Sequence, residues 1–346
     1  MTAEATPSQS PQSAPNAANR QVWMDFARGL CIMLVVLVHT RSAFRGSDIT
    51  MPATLEALNL FMDPFRIPLL MFLSGMLLSK SLGKSAGPYF EGKFNLIFWP
   101  FLIWSPIIYL AEGRLTLEFI LKTPISAPSI LWYLWFLTAF YALAFFIYRL
   151  RLPVLPILVI SLIASELLPS FMRMDRFAAL FVMFLAGHVM VQYVDRLSGR
   201  TLLGVTGLCI AIAGGVWSMQ IGAIKYDARF VLVPFGLIVF ILVFAGHYAT
   251  TALTAPVEWV GRNSIVFYAA HFPVILWTLE ALQRSENLGP TALYMSTFIA
   301  AMLAGTLLQI LRTQLSLVAA LFDFRAISRR YASLSVLRGN RGDTGA

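Results

Sequence analysis

Long apolar blocks such as LLMFLSGMLL and VLVPFGLIVFILVFAG alternate along the chain with short clusters that carry Arg, Lys, Pro or Gly. A bilayer whose hydrocarbon core is about 30 Å thick needs roughly 20 residues of helix per crossing. Blocks of that length predict transmembrane helices, because a backbone in lipid must satisfy its own hydrogen bonds. Barrel strands would instead alternate in segments of about ten residues, and no such alternation is present. The expected fold class is all-α: a polytopic transmembrane helical bundle of about ten spans, drawn near 22–42, 63–82, 94–112, 130–149, 152–169, 177–194, 202–219, 229–248, 262–282 and 291–312. Pro100, Pro106, Pro153, Pro156, Pro234 and Pro273 are expected to kink or punctuate these helices.

The ends read differently from the middle. Residues 1–19 are polar, rich in Pro, Ser and Ala, and charged only at Glu4, so a flexible N-terminal tail is expected there. No basic stretch runs directly into an apolar one as in a secretory signal, so the first apolar run is expected to remain as a span. Residues 20–320 form the expected membrane domain. Residues 321–346, with Arg325, Arg329, Arg330, Arg338 and Arg341, read as a basic C-terminal tail.

Composition narrows the class. Only 12% of the 346 residues are charged and 58% are hydrophobic, whereas a soluble domain carries charge at roughly 25% of positions. There is too little polar material to cover a soluble body, so membrane lipid is the expected surroundings. The net charge of +9 is then explained by basic loops retained on one side of a membrane, and nucleic acid is not an expected partner. With an even number of spans both termini share a compartment. Placing them in the cytoplasm puts fifteen basic residues on that side against nine opposite, with Arg28 and Arg66 set aside as buried. Both termini are therefore expected to be cytoplasmic, in a multi-pass protein of a bacterial inner or plasma membrane. Cys31 and Cys209 lie in apolar runs without metal-ligand spacing and read as small buried hydrophobes.

Charged groups inside a bilayer usually face a protein interior or an aqueous cavity, where they often carry function. The first span, VWMDFARGLCIMLVVLVHTR, holds Asp25 and Arg28 three residues apart, and His39 eleven residues beyond Arg28. At about 100° per residue Arg28 and His39 return to nearly one face, about 16 Å apart along the axis. Arginine stays cationic and suits an anionic group; an imidazole serves as a base near neutral pH. The alternative is an interfacial Asp25–Arg28 pair with His39 reaching into the headgroups. The second span opens with Asp63 and Arg66, where Arg66 can place positive charge near His39, and Ser74 reads as a packing residue. Trp132, Tyr133 and Trp135 begin the fourth span, either as an interfacial aromatic belt or as a stacking surface for an acceptor. In the ninth, Arg262, Asn263 and Ser264 read as a helix cap, with Tyr268 and His271 deeper. His188 and His247 carry no assigned chemistry. No HExxH site, P-loop, Rossmann fingerprint, CxxC pair or GxSxG elbow occurs, so no metal site is expected.

Five segments in this order resemble the integral-membrane acyltransferase family 3, over nearly all of Arg20 to about residue 315. They are RGLCIMLVVLVH from Arg28 to His39 preceded by WMDFA, FLSG from Phe72 to Gly75, WYLWFL from Trp132, FLAG from Phe184 to Gly187, and GRNSIVFYAAH ending at His271. The resemblance implies an O-acyltransferase that moves an acyl group, commonly acetyl from acetyl-CoA, to a carbohydrate, lipid-linked or other cell-envelope acceptor. By the same resemblance His39 is the leading catalytic residue, with Arg28 as its partner at the anionic donor. Arg262 joins Arg28 in donor binding, and Asp25, Arg66, Trp132, Trp135, Tyr268 and His271 support the site or the acceptor. The third-span segment KFNLIFWP departs from common members in having Lys93 alone where more basic residues often occur. Direct attack on the thioester and relay through an acyl intermediate both fit. The rival reading is a secondary transporter or lipid-linked saccharide exporter using the same buried charges as a path.

Overall fold

The computed structural model describes residues 19–47, 49–125, 130–222, 228–284 and 288–327. The expected tail up to residue 18, Lys225 and the basic residues from Arg329 onward lie outside them. Among the described residues every regular element is helical. The order is α1 (Asn19–Arg45), α2 (Ala53–Met76), the single turn α3 (Ser79–Leu82), α4 (Ala86–Lys93), a π-helical stretch Phe94–Phe98, α5 (Trp99–Ala111) and α6 (Leu117–Lys122). There follow α7 (Trp132–Arg149), α8 (Val154–Leu167), α9 (Met174–Met190), the turn α10 (Val194–Leu197), α11 (Thr201–Ile221) and α12 (Leu232–Phe244). The chain continues with α13 (Ala255–Arg262), α14 (Ser264–Gln283), α15 (Pro290–Gln314) and α16 (Ser316–Ala320).

Among the described residues eight helices are long and apolar enough to cross a membrane: Val22–Arg45, Ala53–Leu82, Ala86–Ala111, Trp132–Arg149, Met174–Leu197, Thr201–Ile221, Ser264–Gln283 and Pro290–Gln314. Two of the ten expected segments are occupied by shorter apolar helices, Val154–Leu167 and Leu232–His247. Pro153 directly precedes the first of these and Leu168 turns extended after it. The protein is thus a multi-pass membrane bundle. Its outer faces carry exposed Leu155, Ile160, Leu202, Leu232, Leu303 and Leu307, a surface suited to lipid rather than water.

The second helix starts at Ala53, not near 63, and runs through Pro64 and Pro68. Proline has no N–H for the carbonyl four residues back, and the Leu60 carbonyl left by Pro64 instead accepts a hydrogen bond from Ser218 Oγ at 2.6 Å. The third expected span begins at Ala86, with α4, and absorbs Pro100 by widening into the π stretch just before it. The expected cap at Arg262–Ser264 is a break between two helices. Asn263 Nδ2 donates to the Trp259 carbonyl at 2.8 Å and so closes α13, without capping α14. Cys31 is buried, but Cys209 is exposed on α11, because this helix turns much of its surface outward. Residues just past 320 belong to the body: Phe322 is fully buried, and Trp99 Nε1 donates to the Ala320 carbonyl at 2.7 Å.

In the core, α2 packs against α1, α9, α11 and α12, while α1 also contacts α13, α14 and α15. Small residues let these backbones approach. Both glycines of the FLSG and FLAG segments lie in the α2–α9 contact: a Cβ at Gly75 would collide with the Phe184 carbonyl, and one at Gly187 with the Phe72 carbonyl. Gly29 and Gly261 serve the α1–α13 contact in the same way, against Val257 and Asp25 backbone.

Among the described residues two arginines adopt the left-handed region, Arg151 at φ 53° and Arg173 at φ 60°. Arg151 is the second residue after the end of α7. Its N–H reaches the Tyr148 carbonyl at 3.1 Å, and the Leu152 N–H reaches Ile147 at 3.0 Å. This paired closure normally has glycine at that position. Helix α5 ends in the same pattern with Gly113, whose N–H reaches Leu110 while Arg114 reaches Tyr109. For a residue with a side chain the conformation costs about 1–2 kcal/mol.

Gly75→Ala is expected to lower the thermal midpoint in detergent by the equivalent of about 1–3 kcal/mol. Gly83→Ala, where a Cβ meets nothing within 4 Å, is expected to leave it unchanged. Equal midpoints for the two variants would refute the close α2–α9 contact.

Candidate functional site

A cavity of about 240 Å³ opens between α1, α2, α7, α9 and α14, lined among others by His39, Asp63, Arg66, Trp132, Arg176 and Tyr268. His39 is part-buried; His271 behind it is 1% exposed. His39 Nδ1 and His271 Nε2 are 2.6 Å apart. The ring centroids are 4.8 Å apart with planes 18° from parallel, so the two imidazoles meet edge to edge.

The surroundings assign the protons. His271 Nδ1 lies 2.8 Å from the Tyr268 carbonyl and 3.1 Å from that of Phe267. Carbonyls only accept, so this nitrogen carries hydrogen, and in the neutral ring His271 Nε2 is an acceptor. His39 Nδ1 must then donate to it. The lone pair of a neutral His39 is left on Nε2, and His39 lines the cavity.

The cation beside His39 is Arg66. It is 5% exposed, pairs with Asp63, and donates from Nη1 to the Asn59 carbonyl at 3.3 Å. Asn59 Nδ2 in turn donates to Tyr294 Oη at 3.0 Å, and Tyr294 donates to the Leu37 carbonyl of α1 at 2.6 Å. This chain ties α1, α2 and α15 together one turn from His39. Farther out, Glu56 accepts from Arg41 Nε at 2.5 Å and from Arg45 at 2.7 Å. On its other side Arg66 borders a larger, wholly apolar groove of about 400 Å³ whose walls include Trp23, Leu34, Phe65 and Phe244.

Arg28 does not share the cavity with His39, although both lie on α1. It sits at the opposite end of that helix, 3.9 Å from Asp25, and donates to the Leu73 carbonyl at 3.3 Å. Helical periodicity gave the common face, but the partners of that face change along its length. Arg262 belongs to the same end, 3.8 Å from Glu258, on α13 where Gly261 abuts the Asp25 backbone. Between the two ends runs a buried polar seam. Ser74 Oγ and Tyr133 Oη are 3.2 Å apart, and Tyr141 donates to the Ser74 carbonyl at 3.0 Å. Lys93 Nζ lies 3.7 Å from the Tyr141 ring centroid and donates to Ser81 Oγ at 3.1 Å.

The aromatic residues divide. Trp132 lines the cavity and has the Arg173 guanidinium 5.5 Å from its ring. Trp135 does not line it; its Nε1 donates to the Pro124 carbonyl at 2.9 Å and so holds the preceding loop. Tyr268 lines the cavity and donates to the Ile130 carbonyl at 2.5 Å. Sequence reasoning missed Arg176, Asn59 and Tyr294. Arg176 counted as a loop charge because it precedes the expected span at 177.

A family model described as an acyltransferase domain matches residues 21–310. Among curated proteins the chain is similar to the inner membrane protein YcfT of Escherichia coli (strain K12), at 24% identity with 73% of this chain and 79% of the relative covered. No solved structure matches the chain.

Asp63→Asn removes the charge facing a buried guanidinium, so stability is expected to fall by about 3 kcal/mol. Thermal unfolding in detergent checks this, and an unchanged midpoint would show that Arg66 does not depend on the pair.

Proposed function

Because the chain belongs to the acyltransferase family whose model covers residues 21–310, we propose that it is a membrane O-acyltransferase in which His39 is the general base. The reaction takes acetyl from acetyl-CoA to a hydroxyl of a carbohydrate, lipid-linked or other cell-envelope acceptor. The observation that carries this reading is the His39–His271 bond at a polar cavity that also holds Arg66.

In this reading His39 Nε2 accepts the proton of the acceptor hydroxyl as its oxygen attacks the thioester carbon. The C–O bond forms, the C–S bond breaks, and the thiolate of coenzyme A leaves to be protonated. Negative charge gathers on the thioester oxygen during attack, and the Arg66 guanidinium is the cation placed to stabilise it. His271 is a positioning residue: it fixes which His39 nitrogen keeps the lone pair. Trp132 and Tyr268 shape the acceptor side, and Trp135 keeps the loop before α7 in place. Arg28 and Arg262, with Asp25 orienting Arg28, meet the anionic donor at the opposite end of the bundle.

The same reading includes ten crossings, with Val154–Leu167 and Leu232–His247 as the two short ones, and both termini in the cytoplasm. It places the protein in a bacterial inner membrane, as the name of the Escherichia coli relative says of that protein. Acceptors then approach the His39 end from outside, and the donor approaches the Arg28 end from the cytoplasm.

His39→Ala in purified protein is expected to lower kcat by about 10²–10⁴-fold, read as transfer of labelled acetyl. A wild-type rate would sink the assignment of the base. His271→Ala is expected to reduce kcat by more than His271→Gln, whose amide oxygen can still accept from His39 Nδ1, with KM for the donor unchanged in both. Equal losses in the two variants would remove the positioning role of His271.

A further inference from the structure

Helix α2 packs against α1 on one side and against α11 and α12 on the other. Gly207 and Gly236 bring α11 and α12 so close that a Cβ on either would strike the carbonyl of the other. Helix α1 meets this pair mainly through the turn at Ala245–His247. The space left between α1, α2, α11 and α12 is the apolar groove of about 400 Å³ that Arg66 borders, within the roughly 300–1,000 Å³ of ligand pockets. Its walls include the exposed Leu30 and Ile212, each well inside a membrane-crossing helix, Val22–Arg45 and Thr201–Ile221. The opening therefore faces hydrocarbon rather than headgroups, and an apolar cavity does not hold water. A hydrocarbon chain is the occupant that fits it.

Groove and polar cavity follow one another along α1. Ala27 and Cys31 line the groove, while Val35, His39 and Ser42 line the cavity. Steps of three and four residues keep all five on one side of the helix. On α2, Arg66 is the one side chain among the described residues that lines both spaces, so it stands where the apolar site ends and the polar one begins. The groove extends from Trp23 to Leu34, about 16 Å along α1, and His39 lies about 8 Å beyond Leu34. A chain lying in the groove delivers its head to Arg66 and, within one and a half turns of helix, to His39 Nε2. A free glycan would use the polar cavity and give the groove no part.

We infer that the acceptor is a lipid, whose hydrocarbon chain lies in this groove and whose reacting hydroxyl sits on the head-group unit next to the chain. This rests on the reading of the chain as an acyltransferase with His39 as base, and narrows the acceptors which that reading allows. The hydroxyl proton passes to His39 Nε2, the C–O bond forms as the C–S bond of the donor breaks, and the products are an O-acyl lipid and coenzyme A. The acceptor enters sideways from the bilayer, between α1 and α11.

Membranes carrying the full-length protein supply their own acceptor for the test. They are incubated with acetyl-CoA labelled in the acetyl group, and label is followed into the fraction soluble in chloroform and methanol. Wild type should place label in that fraction and His39→Ala should not. Leu30→Trp and Ile212→Trp, which fill the groove from different helices, should each lower that label roughly tenfold or more, the loss expected when burial of a few methylenes is forfeited, with thermal midpoints unchanged. Leu303→Trp, on an exposed position outside the groove, should match wild type. The partition of label in wild type tests the acceptor however the variants fold. His39-dependent label found only in water-soluble or insoluble glycan would overturn the lipid acceptor, reduce the groove to a seat for boundary lipid and leave the acyltransferase reading standing. Equal lipid label in wild type and both groove variants would overturn the groove. Membranes in which no label depends on His39 would overturn both readings.

Discussion

A polar group placed in a bilayer has no water to bond, so it must find its partner inside the bundle. The interior of this protein is arranged around that requirement. Tyrosine hydroxyls donate to main-chain carbonyls of neighbouring segments: Tyr89 to Tyr141, Tyr141 to Ser74, Tyr268 to Ile130 just before α7, and Tyr294 to Leu37. Ser218 does the same for the carbonyl that Pro64 leaves open. Each bond satisfies a polar group and pins one helix against another. The α2 helix, which carries two prolines and a buried arginine, stays continuous because these partners come from outside it.

The same bonds set where chemistry can occur. His39 projects from a helix held by Tyr294 through the Leu37 carbonyl and faces Arg66, itself held by Asp63 and the Asn59 carbonyl. An imidazole and a guanidinium fixed on separate helices keep their spacing only if those helices keep theirs. Glycines at the α2–α9 and α1–α13 contacts supply the close approach, and the tyrosine bonds supply the register. The wholly apolar groove on the other side of Arg66 marks how sharply polarity is confined to one side of that residue.

Much of the fold was legible in the chain because a bilayer imposes length and apolarity, and blocks such as VLVPFGLIVFILVFAG answer both. Boundaries were less legible. Residues 53–62 are too mixed in polarity to read as part of a span, yet Glu56 there is neutralised by Arg41 and Arg45, pairings invisible in a linear pattern. Of the site, His39, Arg66, Tyr268 and Trp132 were found as polar or aromatic residues in or at the ends of apolar runs, and the structure brings them to one cavity. Arg28 was placed on the face of His39 by helical period, but depth in the bundle separates the two. Arg176 looked like a loop charge, and nothing in the chain marks its approach to the cavity. Arg151 was counted only for its sign. Its backbone conformation, which sets it apart from Arg149, depends on how α7 ends.

The His39–His271 pairing shows which part of a site a sequence can carry. The orientation of His271 is local: its Nδ1 bonds to carbonyls three and four residues back on its own helix, so α14 alone settles where its proton resides. That choice passes to His39, 232 positions away in the chain, only because α1 and α14 pack side by side. Two imidazoles joined in this way behave unlike either ring alone. An isolated His39 would interchange tautomers freely and present a lone pair from either nitrogen. Bonded to His271, it donates from Nδ1 and retains basicity on Nε2. A carboxylate in the place of His271 would impose the same tautomer at the expense of burying a net charge beside Arg66 and Asp63. A neutral imidazole anchored by its own helix imposes it without adding charge, which is the arrangement a membrane interior tolerates best.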